Sequence, residues 1–569
     1  MVLALVSCAL DDGEMKKAWV VGVAWLLTAC SNSSKERLGT EADAGSSPAD
    51  ASAPDAQPTA SCVDSTETGV ITLSPDLADF HFSYYLVAPD SGRVVMVGGP
   101  GDDPADVSPT RMFSTPICGG MATEIGPLAQ ADSEASLHRA RITPDSSRVV
   151  YTRRDYTPED GLTILLHSIP ITGGETAPLT PPLAGDPDSI VDTFLVSQDG
   201  TVVYLTQTDQ EIGTRLFSVP ADASREPELL AQTSSSDGRI YPTFELTATG
   251  DRVVFAADLN DAGVIRLYSV PTAGGDVTPL TPTAADGTGV SRFFHVSGDD
   301  VLFTGSLDGP VPNRLYSTPA AGGARTVLGT LDGVFLYMHD LPGSHDVVFV
   351  GVRGDGIRRV YRATIGAPGI ALLSGDGGNQ VVGVGEYEYS LQLNADSTRI
   401  VYMDDRDTAY ADALYSAPIT GGEVQLISQA NSDETRGIGP FSGIPGTDQV
   451  VYTADIEEND VARLYRVADT GGDIVQLAPE AENSTGSVTY GLPSQDGAWI
   501  VYLCACARPG ARELFKIRPD GTDRSDFFTD PAGANVWNYE FSPDGRWIVW
   551  NATLESDPRL RVRARRLDP

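Results

Sequence analysis

Among the side chains able to do chemistry, carboxylates dominate: the 569-residue chain carries 78 Asp and Glu against 39 Lys and Arg, a formal net charge of −39, with only 6 His and 6 Cys. Some of the acids are grouped, as in Asp404-Asp405-Arg406-Asp407 with Asp412 close behind, in Asp258 and Asp261, and in Asp455-Ile456-Glu457-Glu458. Oxygen-rich loops of this kind suit Ca²⁺, which takes about six to eight oxygen ligands in flexible geometry. Asp404, Asp405, Asp407, Asp258 and Asp261 are therefore the candidate cation ligands, although the EF-hand spacing is absent. The alternative is solubilising charge, partly paired with Arg215, Arg266, Arg314 and Arg463, and such exposed pairs need no function. His339-Asp340 and His345-Asp346 form the one His/Asp grouping and offer imidazole and carboxylate to a transition metal, with no third ligand evident. No GxSxG, HExxH, Walker or dinucleotide-binding glycine pattern occurs, so no catalytic residue is assigned and no cofactor other than Ca²⁺ comes into view. Arg353-Gly354-Asp355 matches an integrin tripeptide by letter only. An acidic surface repels phosphate backbones, so nucleic acid is excluded as a charge-driven partner, and cations or basic surfaces fit better.

The cysteines point to a compartment. After Met15, the basic pair Lys16-Lys17 precedes an apolar run from Ala18 to Leu27, too short to span a bilayer. The run ends in Leu27-Thr28-Ala29-Cys30, which resembles the lipobox of bacterial lipoproteins; the alternative is an ordinary signal peptide that happens to precede a Cys. Leu5-Val6-Ser7-Cys8 imitates that motif without a basic region, which makes Met15 the expected start. The resemblance implies cleavage before Cys30, acyl chains on its sulfur, and, because Ser31 follows, sorting to the outer membrane, facing the periplasm or the cell surface. Residues 1–29 are then the signal peptide. Residues 30–62, nearly all small or polar, read as a disordered stalk, and residues 63–569 as the folded part. Four thiols remain in an oxidising compartment. Cys62 and Cys118 could pair across the start of the fold. Cys504 and Cys506 lie on one face of a strand about 6.6 Å apart, near the limit for a disulfide, so that a bridge requires the strand to bend. No CxxC redox spacing is present.

The elements that must position these groups are repeats. A β-branched pair ending in an aromatic recurs as Val149-Val150-Tyr151, Val202-Val203-Tyr204, Val253-Val254-Phe255, Val347-Val348-Phe349, Ile400-Val401-Tyr402 and onward to Ile548-Val549-Trp550, about every 50 residues. Weaker copies at Val94 and Val301 bring the number of units to about ten. Each unit has a strand ending in a turn such as Pro543-Asp544-Gly545, then the triplet, then a segment like Arg266-Leu267-Tyr268-Ser269-Val270-Pro271, then a strand after a Gly pair such as Gly274-Gly275. His167 occupies the place of the recurrent third-strand Tyr and should pack rather than react. Four antiparallel strands per unit is the pattern of a β-propeller blade.

These residues resemble the WD40-like repeats of TolB-type propellers, best seen in Phe541 to Trp550, over residues 70–569. The resemblance implies an all-β propeller of about ten blades that works by protein contacts in the cell envelope. The chain departs from TolB in having more repeats and no separate N-terminal α/β domain. The last unit stops after three strands, and Val70-Ile71-Thr72-Leu73 could complete it, which favours one closed ring over two smaller propellers in tandem. The expected function is a lipid-anchored, monomeric, non-catalytic scaffold for a protein, peptide or glycan. The alternatives are a lyase or hydrolase that uses channel-facing residues and a structural envelope lipoprotein.

Overall fold

The computed structural model describes residues 69–567 apart from internal segments at 102–109, 128–135, 158–160, 181–189, 208–212, 235–237, 260–262, 283–288, 308–312, 332, 335–337, 376–390, 406–411, 430–436, 458–460, 479–485, 507, 509 and 531. The described residues build ten antiparallel blades in one ring, a ten-bladed β-propeller, and no helix among them is long and apolar enough to cross a membrane.

Every triplet lies in the second strand of its blade, flanked by partners on both sides. In blade four, Val253-Val254-Phe255 faces Leu246, Glu245 and Phe244 of the first strand (Ile240–Leu246) and Val270, Ser269 and Tyr268 of the third (Arg266–Pro271). A strand covered on both faces needs a continuous apolar run, which explains why the triplets do not alternate with polar residues. In blades two to nine the aromatic that ends the triplet stacks on the third-strand ring, for example Tyr204 on Phe217 at 5.4 Å and Phe303 on Tyr316 at 5.4 Å. His167 takes the same place under Tyr151 at 5.7 Å, so it packs, as its alignment indicates.

The first turns are set by Asp side chains. The Asp90 carboxylate accepts from the Gly92 amide at 2.8 Å, and Asp199, Asp396 and Asp544 repeat the arrangement two residues upstream of their donors. The Arg that often follows, as at Arg148, Arg252 and Arg399, donates to the third-strand Ser of its own blade at 2.7–2.9 Å. Arg252 also reaches the Ala320 carbonyl of blade five, and Arg399 the Asp469 carbonyl of blade eight, both at 3.2 Å. The repeat residues thus tie each blade both within itself and to its neighbour.

The first strands of adjacent blades touch one another, so they line the channel and the fourth strands form the rim. The ring closes as the incomplete last unit implies. Ile71–Thr72 pairs with the third strand of blade ten (Asp557–Arg566), Ile71 opposite Ala564, and becomes its fourth strand. The Leu73 amide donates to the Val562 carbonyl at 2.9 Å, and Asp76 receives both Arg559, at 2.8 Å, and Arg561. Across the seam, Phe80, Phe82 and Tyr85 of blade one share a core with Val549, Val562 and Ala564 of blade ten. Two propellers in tandem are therefore ruled out. Closure covers the edge of the third strand of blade ten, which would otherwise invite association.

Candidate functional site

One position in each first strand, opposite the middle residue of the triplet, carries most of the polar chemistry of the channel wall. Arg141, Glu245, His295, His339, Gln392 and Glu540 occupy it in blades two, four, five, six, seven and ten. Leu86, Leu195, Leu492 and Ser442 fill it elsewhere. The position repeats because the antiparallel register to the triplet repeats.

From this position side chains reach forward onto the next blade. Glu245 accepts from the Val296 amide of blade five at 2.8 Å and stands 3.8 Å from His295 Nδ1. The other ring nitrogen of His295, Nε2, lies 3.1 Å from the Asp340 carboxylate of blade six. Gln392 donates to the Phe441 carbonyl of blade eight at 2.9 Å, and the Arg141 guanidinium sits 5.9 Å from the Phe194 ring of blade three. A run of contacts thus steps round the channel from blade four to blade six and again from seven to eight.

The electrostatics follow from this geometry. Burial works against a charged His295, but the Asp340 hydrogen bond and the Glu245 carboxylate outweigh it and raise the imidazole above its ordinary pKa. Burial pushes Glu245 up, and the nearby His295 offsets only part of that. Burial is the largest single influence on Asp340 and drives it up, but the His295 hydrogen bond and charge, with Ser297 and His339, together outweigh it and leave the carboxyl below the usual range. Burial and the neighbouring His295 hold His339 down. Glu540 differs from these groups: burial alone raises it to about 8, and no hydrogen bond or ion pair to it occurs among the described residues. An imidazole flanked by carboxylates on both nitrogens favours the charged form, as at His295, whereas His339 keeps a buried Nε2 with no hydrogen-bond partner among the described residues.

The residues expected to bind cations are placed differently. Asp258 is buried, and its carboxylate accepts from the Arg239 amide and, at 2.8 Å, from the Gly263 amide, which makes it a loop-shaping group. Asp404 and Asp405 are buried near Asp412, whose carboxyl is raised to about 6 by burial and by Asp405. Asp261 and Asp407 lie outside the described residues, as do Cys30 and Cys62. Among the described residues no three His, Cys, Asp or Glu side chains are grouped to hold a metal. Of the grouped loop acids, Glu457 pairs with Arg463 at 3.2 Å, in line with the reading of these charges as solubilising and partly paired. The His/Asp grouping of blade six is split: Asp340 goes to His295, while Asp346 pairs with Arg362 at 2.6 Å. Asp355 of the Arg-Gly-Asp turn is held by both guanidinium nitrogens of Arg359, at 2.8 and 3.0 Å. Cys118 is disulfide-bonded to a partner outside the described residues. Cys504 and Cys506 are bonded to each other; the strand ends at Cys504 and bends, bringing the two Cα atoms to 5.1 Å.

Sequence inspection did not single out Glu245 or His295. Aligning the units on their triplets would have placed both at the one first-strand position that leans on the next blade.

The architecture defines a ten-bladed propeller with a partly polar channel wall. No protein-family model matches the sequence, and neither does any curated protein. Among solved structures it is similar to dipeptidyl peptidase 4 of Porphyromonas gingivalis, with a TM-score of 0.42 and 9% identity over 82% of this chain and 64% of that one. A prolyl endopeptidase gives 0.33 and 12% over 64% and 55%, and a putative TolB from Agrobacterium tumefaciens gives 0.25 and 18% over 52% and 92%. The chain thus spans less than two thirds of the length of either peptidase. At these values the likeness carries no argument about activity.

Proposed function

We propose that the chain is a non-catalytic binding propeller, tethered to the outer membrane through acyl chains on Cys30, that presents its ring to a protein or peptide partner in the cell envelope. The observation that supports this reading most is how the channel's polar side chains are used. Glu245, His295, Asp340 and Gln392 bond to the adjoining blade and stiffen the wall instead of converging on a reaction point. A rigid ring with an acidic surface suits recognition of a basic partner more than turnover. In the same reading, Cys62 is the partner of Cys118 and fastens the stalk beside the closing strand.

The test places a photo-crosslinking residue at Phe293, on the channel side of blade five, or at Leu426, on the rim of blade seven, in cells that make the full chain. A scaffold gives one recurring adduct from one of the two sites, and the yield survives His295→Gln. Adducts scattered equally over many proteins from both sites would refute it. The enzyme alternative draws on His295 between two carboxylates; it would be favoured if His295→Gln abolished an activity of the purified chain while its melting temperature held.

A further inference from the structure

We propose a second, separate site: a cleft on the flank of the ring between blades five and six that binds an apolar carboxylate, through the Arg353 guanidinium for the anion and Ile370 for the hydrocarbon. This inference is independent of the channel and of the scaffold reading. The cleft has a volume of about 490 Å³ and is lined by Thr330 and Leu331 at the end of the blade-five fourth strand (Thr326–Thr330), Arg353 and Gly354 in the turn between the second and third strands of blade six, and Ile370 in the blade-six fourth strand (Ile370–Leu372).

Three observations carry it. First, acids outnumber bases twofold in this chain, and the neighbouring arginines are matched, Arg359 with Asp355 and Arg362 with Asp346. Arg353 is exposed and has no carboxylate partner among the described residues; its contact is with the face of Tyr361, 5.1 Å from guanidinium carbon to ring centroid. A cation over the face of a buried ring is held beside it by the ring's quadrupole, and the guanidinium N–H donors stay open to a ligand at the cleft. Second, the cleft combines that cation with a polar lip, Thr330, and an apolar wall of half-buried Ile370, backed by the fully buried Leu331. A few polar groups over an apolar surface are what a small-ligand site requires. Third, the wall is built by close approach. A Cβ on Gly329 would lie 2.9 Å from Ile370 Cδ1, and the Gly369 amide donates to the Leu328 carbonyl at 2.8 Å, so that blades five and six are locked together below the cleft. The turn is fixed too: the Gly356 amide donates to the Arg353 carbonyl at 2.8 Å, and Asp355 is held by Arg359.

A planar fork beside a branched apolar wall fits a leucine-like carboxylate, either free or at the end of a peptide. The full chain is titrated calorimetrically with N-acetyl-leucine, with N-acetyl-leucinamide, and with acetyl-Ala-Ala-Leu. The expected result is that the acids bind, that the amide is weaker by about 10- to 100-fold, the scale of a charge-assisted hydrogen-bond pair, and that Arg353→Ala brings the acids down to the amide's level without moving the amide. Arg353→Lys, which keeps the charge and loses the fork, should fall between. A tripeptide that binds more tightly than N-acetyl-leucine assigns the site to chain ends, and equal affinity assigns it to free acids. Equal binding of acid and amide, unchanged acid affinity in Arg353→Ala, or no binding at millimolar concentration overturns the proposal. Because Arg353 is exposed, the variant's melting temperature should match the parent's, and Thr330→Val gives a second, smaller loss in the acid alone.

Discussion

Replacing Glu540 by Gln should stabilise the protein at alkaline pH and do little in acid. Glu540 lies in the first strand of blade ten opposite Val549, at the seam where the ring closes, and its charge adds to the burial that raises the pKa of Tyr85 of blade one, whose hydroxyl donates to the Val549 carbonyl at 2.9 Å. Burial moves the carboxyl from 4.5 to about 8. A group raised in the folded state contributes its full stability below the unfolded pKa and loses it as pH climbs through the folded one, so ionised Glu540 opposes folding progressively between about pH 4.5 and 8. At about 1.4 kcal/mol per unit the penalty is about 5 kcal/mol at pH 9, about 3 at pH 7 and below about 1 at pH 5. The side chain is partly open to the channel, which makes these values upper bounds. Gln fills the same volume without the charge. With an unfolding entropy of about 2 cal/mol/K per residue, a ring of roughly 500 residues gains about 1 °C per kcal/mol, so melting followed by circular dichroism should show a rise of up to about 5 °C at pH 9 and no more than about 1 °C at pH 5. A gain that is equal at both pH values, or a loss at both, would refute the assignment of Glu540 as a buried, unpaired acid.

Other perturbations probe the remaining contacts. His295→Gln should cost about 1–2 kcal/mol at pH 6, where the charged imidazole bonds Asp340, and the difference from the parent should shrink by pH 9, because a raised His stabilises below its unfolded pKa and loses that effect as pH rises through the folded one; a pH-independent difference in urea midpoint would count against it. Leu73→Pro removes both a core side chain and the amide that bonds Val562, so it should cost about 3 kcal/mol and promote self-association through the opened edge of blade ten, visible by size-exclusion chromatography. Tyr204→Phe, which leaves the Leu179 carbonyl without its hydroxyl donor but keeps the stack on Phe217, should cost about 1 kcal/mol, against about 4 for Tyr204→Ala in chemical denaturation.

The blades were legible because their signals are local. Val253-Val254-Phe255 announces a doubly covered strand without knowledge of its neighbours, and Pro543-Asp544-Gly545 announces its turn through an Asp that bonds its own backbone. Closure was legible as well, since a last unit lacking its fourth strand implies that Ile71–Thr72 supplies it. The channel wall was not legible, because Glu245, His295 and Asp340 come from three strands about 50 residues apart and meet only when the ring forms. Proximity in sequence misled where side chains alternate between faces: His345-Asp346 follows His339-Asp340 closely, yet Asp346 turns to Arg362 and Asp340 to the preceding blade. The bend at Cys504 was hidden for a related reason, since a period-two reading assumes an extended strand and gives no sign of where it stops.

The acids with raised pKa share a direction. Glu245, Asp412 and Glu540 are all pushed up by burial, and His295 is raised by the carboxylates that flank it. Each of these groups favours the folded state when protonated, so their contributions all weaken as pH rises, and a net charge of −39 adds self-repulsion in the same sense. Glu540 at the seam and Glu245 at a blade boundary both act between blades rather than within one. Deprotonation of Glu245 and Glu540 therefore acts on contacts between blades, whereas Asp412, raised to about 6, acts within blade seven.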